Sequence, residues 1–535
     1  MEKSKIRLAR AARPEDVGVS PKALLETVCD FEREKTEIHS FLVLRHGKVA
    51  FEYYRAPFDR DTPRSVYSFS KSICSTAAAY AIDEGLISLD SGIYDFFPEY
   101  KITKKSALRY KDEVTVRALL TMTTGKSINV ARDKAKIDWI GDFLNSPTTH
   151  RPGEHFHYTN ENAFMISAII HKLTGASLSD YLQPRLFDPL GIERPVWETD
   201  KNGVTGGGFG LYLTPEDGAK IMQCYLDGGK FEGKRVIPGR WTEQATIKQV
   251  SNEKNRKPDS RVGYGYQFWM CTPPNTFAGR GMFGQHGIVM RDADACFFYT
   301  GCEVDEQKPM EILFRRFPAG FSDGMERDNG AYAELISRTS GLKADDIPVS
   351  PPNPLEKQLN GKLQRWPKQR FLSAVGMPTS VLPLSVTYTS VDKHGSIDNA
   401  SLAFADGEAV FSWYEGAVFN QIPLGLDGKY RYGKIKLPPF DLTTAGYAYW
   451  ETPNALCVHI RFIESVGKRI FRFEFKDRRI RITQASTPEG DKIIGNITVL
   501  AESFINNDFI YFFVKRLSGL IPRILEPEMR AKIKK

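Results

Sequence analysis

Residues 67–85 read YSFSKSICSTAAAYAIDEG. The run opens on Ser68-Phe69-Ser70-Lys71 and continues through Ala, Ile and Cys to Gly85. That composition predicts a helix over Ser68–Gly85 that is buried on most of its surface. On a helix, positions three apart share a face, so the Ser68 hydroxyl and the Lys71 amine would be neighbours. A serine hydroxyl is a weak nucleophile, and a neutral amine beside it can take its proton. The free N–H groups and the dipole at a helix N-terminus favour negative charge. They make the Ser68 N–H a natural oxyanion donor. The S-x-x-K pattern also starts at Ser251, Ser340, Ser390 and Ser465. Only the first opens a long apolar helix; for the others a capping serine and a surface lysine suffice.

The next stretch outward is RPGEHFHYTN at residues 151–160, which holds Tyr158-Thr159-Asn160, the only Y-x-N in the chain. A phenol beside an ammonium is expected to have its pKa lowered. It could then act as base toward a serine and as acid toward a leaving group. Asn160 can donate to a substrate carbonyl and hold the lysine. The apolar run Asn160–Leu173 reads as a helix, with Gly175 as its stop.

Around these two stretches the chain alternates. Ser40–Tyr54 reads as two strands around the turn His46–Gly47, and Thr214–Asp227 as a third helix. Residues 262–300 read as several strands broken by a Gly-rich turn, an α/β or α+β order. Residues 346–368 contain five prolines and no periodicity, which reads as a linker. Beyond it the pattern has period two: Phe471, Phe473 and Phe475 alternate with Arg472 and Glu474. That predicts an antiparallel sheet or barrel. The segment Phe509–Lys535 mixes apolar and basic residues, and reads as a tail docked on this β-domain.

Composition bounds the function. The 535 residues are 41% hydrophobic and 26% charged, which suits a globular chain. The net charge of +8 is uneven: residues 347–535 hold 26 Lys/Arg against 18 Asp/Glu, and residues 1–346 hold 47 of each. A surplus this mild on alternating strands reads as a solvated face, so no nucleic-acid partner is expected. No run of 18 apolar residues suggests a membrane span. The N-terminus does not read as a secretory signal. Seven scattered cysteines without a CxxC pair argue against a zinc site or disulfide framework and fit a cytoplasmic location. Neither a metal nor another cofactor is expected.

With these motifs in hand, the chain resembles the serine β-lactamase-like hydrolases: class C β-lactamases, D,D-peptidases and related esterases and amidases. The likeness runs over about residues 12–340. Its carriers are ARPEDVGVSP (12–21), SFLVLRHGKVAFE (40–52), YSFSKS (67–72), DEGLISLDSGIYDFFPE (83–99), VRALLTMTTG (116–125), RPGEHFHYTN (151–160) and LYLTPEDGAKIM (211–222). The resemblance implies an antiparallel sheet flanked by helices (an α/β sandwich in the α+β class) with an all-helical subdomain. It implies Ser68 as nucleophile, Lys71 as activating amine, Tyr158 as second proton handler and Asn160 as a contact to substrate and lysine. Which of Lys71 and Tyr158 is the primary base stays open.

A third family motif, K-T-G or H-x-G on a strand lining the site, is where the chain departs. The candidate is Gly279-Arg280-Gly281, followed by Met282-Phe283-Gly284-Gln285, whose ending looks like the nylon-oligomer-hydrolase branch. Gln285-His286-Gly287 is the alternative register. Neither starts with Lys, which argues against a dedicated β-lactamase, and Gly279 would open space for substrate. The Met282 N–H would be the second oxyanion donor, by analogy with the family's strand, and His286 could lie near the site.

The expected division is a hydrolase domain over 1–345, a linker over 346–368 and a β-domain, lipocalin-like or a small barrel, with a basic tail over 369–535. The expected activity is cleavage of a small ester or amide through a Ser68 acyl-enzyme. The alternatives are a D-amino-acid peptidase of the same mechanism and a non-catalytic binding protein on the same fold. Whether the β-domain shapes the site entrance or mediates self-association into a homo-oligomer is open.

Overall fold

The computed structural model describes residues 6–126, 138–255, 257–366, 380–383, 397–437, 440–489 and 526–533. The chain divides into two compact units, Met1–Leu342 and Lys343–Lys535.

The first unit is built on a six-stranded antiparallel sheet. Its elements in chain order are α1 (Pro21–Arg33), β1 (Ile38–Arg45), β2 (Lys48–Tyr54), α2 (Ser70–Asp83), α3 (Val116–Leu120), α4 (Asn160–Thr174) and α5 (Pro215–Leu226). They continue with β3 (Trp269–Met270), β4 (Thr276–Gly281), β5 (Gln285–Met290), β6 (Ala295–Gly301), α6 (Gln307–Arg316) and α7 (Asn329–Thr339). The strand order is β2-β1-β6-β5-β4-β3. Along β1, Leu42 and Leu44 join one hydrophobic cluster while Phe41 and Val43 join the other. This is the period-two alternation of a strand covered on both faces. One face is covered by α1, α6 and α7 through Leu24, Phe31, Met310, Leu313 and Leu335. The other is covered by α2 and α5 through Phe69, Ile73, Ile221 and Met222.

Helix α2 is covered on all sides, its polar residues included, and Ser70 through Ala81 are buried. It packs against α4, and α3 packs there too, forming the helical part of the unit. Gly85 follows α2 with φ +71°, the left-handed conformation that ends a helix. Helix α4 begins at a Thr159 cap, whose side chain accepts from the Asn162 N–H, and it ends at Gly175 with φ +70°.

The second unit is a β-barrel. Its ten strands run in the order Val418–Gly425, Glu408–Glu415, Ile397–Ala405, Leu363–Arg365, Met529–Ile533, Arg479–Thr487, Lys468–Lys476, Ala455–Phe462, Phe440–Thr452 and Arg431–Leu437. The pairing of Gly425 with Tyr447 closes the first nine into a ring. Arg469, Phe471, Phe473 and Phe475 are buried, while their neighbours are more exposed. The alternation read in the sequence therefore places these four in the core.

The stretch 346–368 is not all linker. Within it Leu355–Leu359 is helical, and Leu363–Arg365 pairs with strands on both sides. Four of the five prolines precede residue 355 and the fifth is Pro367, which leaves the part between free to bond. Of the expected tail, residues 509–525 lie outside the described residues, and Met529–Ile533 is the barrel strand paired with Arg479–Thr487. Among the described residues, no helix is long and apolar enough to cross a membrane.

Candidate active site

Ser68 lies in a single 3-10 turn, Tyr67–Phe69, which runs directly into α2. The turn starts from a strained residue: Tyr67 has φ +46°, rare for a side chain of that size. Its carbonyl accepts from the Ser70 hydroxyl at 2.5 Å. The Phe69 ring meets Phe298 of β6 edge-on, with centroids 5.4 Å apart. The segment that carries Ser68 is thus wedged between the helix that follows it and the sheet.

Lys71, in the first turn of α2, is 1% exposed. Its Nζ donates to Ser68 Oγ at 2.9 Å, to Asn160 Oδ1 at 2.7 Å and to the Gly208 carbonyl at 2.8 Å. Burial pushes the Lys71 ammonium down to about 7, with Glu161 acting in the opposite sense. An amine that holds its proton only half the time at neutral pH can serve as a base.

Tyr158 precedes the Thr159 cap, so the start of α4 presents Tyr158 and Asn160 to the start of α2. The Lys71 Nζ lies 4.8 Å from the Tyr158 ring centroid. The ring also packs against Trp269 at 5.2 Å and edge-on against Tyr264 at 6.2 Å. Contrary to the expectation from the sequence, the phenol is not made more acidic. Burial pushes it well above its usual value, against the opposing pull of Ser68 and Arg280. The neighbouring amine, itself only about half charged at neutral pH, does not offset the loss of hydration.

The third motif divides. A Cβ on Gly281 would lie 2.1 Å from the Val66 carbonyl oxygen, and one on Gly279 would lie 2.7 Å from the Phe69 ring and 2.9 Å from Ser72 Oγ. These glycines let β4 press against the segment that carries Ser68. Gly279 therefore does not open space for substrate, because Phe69 and Ser72 fill that space. Gly287 of β5 plays a similar part against Met222 and Phe69. Met282, Phe283 and Gly284 form the β4–β5 turn. Phe283 has φ +63°, and its ring packs edge-on against Tyr67 at 5.4 Å.

Gln285 braces that turn from within. Its Nε2 donates to the carbonyls of Met282, Phe283 and Gly301. His286, next along β5, faces away from α2. It is fully buried, its Nδ1 pairs with the Tyr299 hydroxyl at 2.8 Å, and its Nε2 lies 3.7 Å from Glu306. Arg280 donates to the Asp259 carbonyl and Ser260 Oγ and lies over the Trp269 ring at 5.2 Å.

The structure thus gathers Ser68, Lys71, Tyr158 and Asn160, with the Gly281–Met282 strand end alongside. It sets Gln285 and His286 behind the turn. Two contributors escaped the sequence reading. Gly208 gives Lys71 a carbonyl, and a Cβ there would lie 3.2 Å from Nζ; the run Gly206-Gly207-Gly208 was its only local sign. Glu306 accepts from the Phe283 N–H at 3.0 Å, and nothing near it in the sequence signals that. Among the described residues, no group of three or more His, Cys, Asp or Glu could hold a metal ion.

The family model described as Beta-lactamase matches residues 34–302. The chain is 27% identical over 298 residues to the 6-aminohexanoate-dimer hydrolase of Paenarthrobacter ureafaciens, covering 51% of this chain and 76% of that protein. It is 24% identical over 301 residues to the lovastatin esterase of Penicillium rubens, covering 45% and 74%. Among solved structures, a penicillin-binding protein homologue from Caulobacter crescentus matches with a TM-score of 0.45 and 17% identity, covering 56% of this chain and 99% of that one.

Proposed function

Because the chain belongs to the beta-lactamase family and is a serine hydrolase of that kind, we propose that it cleaves the ester or amide bond of a small substrate through an acyl-enzyme on Ser68. The observation that carries this reading is the Lys71 amine, 2.9 Å from Ser68 Oγ with its pKa brought to about 7.

In its neutral form Lys71 has two N–H donors and one lone pair. The donors are matched by Asn160 Oδ1 and the Gly208 carbonyl. The lone pair is left facing the Ser68 hydroxyl. As Ser68 Oγ attacks the substrate carbonyl, its proton passes to Lys71. The N–H groups of Ser68 and Met282 hold the tetrahedral oxyanion. Tyr158, kept protonated by its burial, donates to the leaving group as the C–O or C–N bond breaks. The ammonium can then return a proton to the phenol. Water, deprotonated by the same pair, cleaves the acyl-enzyme and restores Ser68. This assigns Lys71 as the base and Tyr158 as the acid.

The relatives' names, one a dimer hydrolase and one an esterase, support both an amide and an ester as the scissile bond. The seven cysteines are scattered, with no CxxC pair, which supports a reducing, cytoplasmic setting.

The test is labelling with a fluorophosphonate, followed by a panel of p-nitrophenyl esters, D-amino-acid amides and nitrocefin. The expected result is a covalent adduct on Ser68, absent in Ser68→Ala together with all turnover. Turnover of the best substrate by Ser68→Ala at the wild-type rate would sink the reading.

A further inference from the structure

Behind the β4–β5 turn a line of buried polar side chains ends on the backbone of the turn itself. The Tyr299 hydroxyl bonds His286 Nδ1 at 2.8 Å. His286 Nε2 faces Glu306 Oε2 at 3.7 Å. Glu306 Oε1 accepts the Phe283 N–H at 3.0 Å. Glu306 immediately precedes α6, so the carboxylate is anchored at the start of a helix rather than on a free loop. Tyr299 and His286 face each other across β6 and β5 in the sheet register.

Phe283 needs that support. Its φ of +63° lies in a region that is costly for a bulky residue and persists only where the surroundings hold it. It is the residue after Met282, and its N–H belongs to the peptide next to the one that carries the Met282 N–H, so holding it fixes the turn on which that donor sits. Its ring packs against Tyr67, the residue before Ser68, which is also left-handed. The two oxyanion donors therefore each adjoin a strained aromatic residue, and these two residues brace one another.

We propose that Glu306 is a positioning residue for the oxyanion hole: by accepting the Phe283 N–H it holds the turn in the conformation that aims the Met282 N–H at the reacting carbonyl. The proposal rests on the Ser68 acyl-enzyme reading. Glu306 acts through an acceptor atom at a set reach, not through its charge. Replacing it with an amide of the same length keeps the acceptor, whereas shortening it by one methylene withdraws the acceptor and keeps the charge.

The experiment compares Glu306→Gln, Glu306→Asp and Glu306→Ala in the full chain, reading kcat, KM and the rate of fluorophosphonate labelling. Loss of one oxyanion donor costs ~100-fold or more in kcat, so a misaimed donor is expected to cost about tenfold. Glu306→Ala and Glu306→Asp should lose that factor in kcat and in labelling rate with KM little changed, while Glu306→Gln stays near wild type. If Glu306→Ala fails to fold, the Gln and Asp variants still decide. Equal losses in Gln and Asp, wild-type kcat in Asp, or losses confined to KM would overturn the proposal. A wild-type protein that takes no label on Ser68 would instead defeat the acyl-enzyme reading itself.

Discussion

Lys71 and Tyr158 lie within touching distance, yet burial moves their proton affinities in opposite senses. Each loses hydration of its charged form. For the amine that favours the neutral base, and for the phenol the neutral acid, so one physical cause prepares both partners at once. The pH dependence follows with a definite sign. Lys71 must be deprotonated to accept from Ser68, so kcat/KM should rise through an acidic limb near pH 7 and should not fall again until the phenol ionises. A stopped-assay pH profile checks this; activity that is highest at pH 5 and declines through 7 would contradict it. Tyr158→Phe removes the acid and leaves the ring packing. It should lower kcat by ~100-fold or more while fluorophosphonate labelling of Ser68 persists, because that reagent's leaving group departs without protonation.

At the level of elements, the site is made by close approach. The edge of β4 reaches the nucleophile segment only because Gly279 and Gly281 lack side chains. A methyl on Gly281 would collide with the Val66 carbonyl, a backbone atom that cannot swing away. Gly281→Ala should therefore push the strand off the turn, costing about 1–3 kcal/mol of stability and most of the activity, as read by thermal melts and turnover. The control is Gly153→Ala, whose added Cβ meets nothing within 4 Å. Its φ of +89° costs something, but it should leave kcat much closer to wild type. The two helix starts were legible locally, from the apolar runs Ser68–Gly85 and Asn160–Leu173, whereas the Thr159 cap and the register of the strand ends were not. The packing role of Gly279 was not legible, because a glycine reads alike whether it opens a pocket or admits a neighbour.

For the molecule as a whole, both units bury charge, and the barrel unit does so in two settings. In the barrel unit Asp345 accepts from Arg461 Nη2 at 2.8 Å, Lys468 Nζ at 2.6 Å and the Tyr430 hydroxyl at 2.8 Å. Arg461 is 1% exposed. Asp345→Ala would strand that guanidinium and should cost about 3–5 kcal/mol, seen by calorimetry of the full chain as earlier melting of one transition. Glu415, also buried, bonds Trp413 Nε1 at 3.1 Å and the Ser380 hydroxyl. Burial raises it from 4.5 to about 7. A carboxyl raised in the folded state stabilises below its unfolded pKa, and that contribution is lost as pH rises to the folded value. Stability of this unit should thus decline between about pH 4.5 and 7 by an amount that Glu415→Gln removes. Denaturant titrations of both proteins across that range measure the difference, and parallel curves would refute it.

What the sequence by itself determined is the set of local relations: a serine and a lysine three apart at the start of an apolar helical run, a tyrosine and an asparagine two apart at the start of another, and inward phenylalanines two apart on a strand. These follow from helix and strand periods, which act within a few residues. Only the tertiary structure decided the protonation of Lys71 and Tyr158, the Gly208 carbonyl that completes the lysine's partners, the close packing at Gly279 and Gly281, and the link from Glu306 to the turn after Met282. Each depends on groups from distant parts of the chain excluding water at one point, and hydration lost on folding leaves no mark in residue spacing.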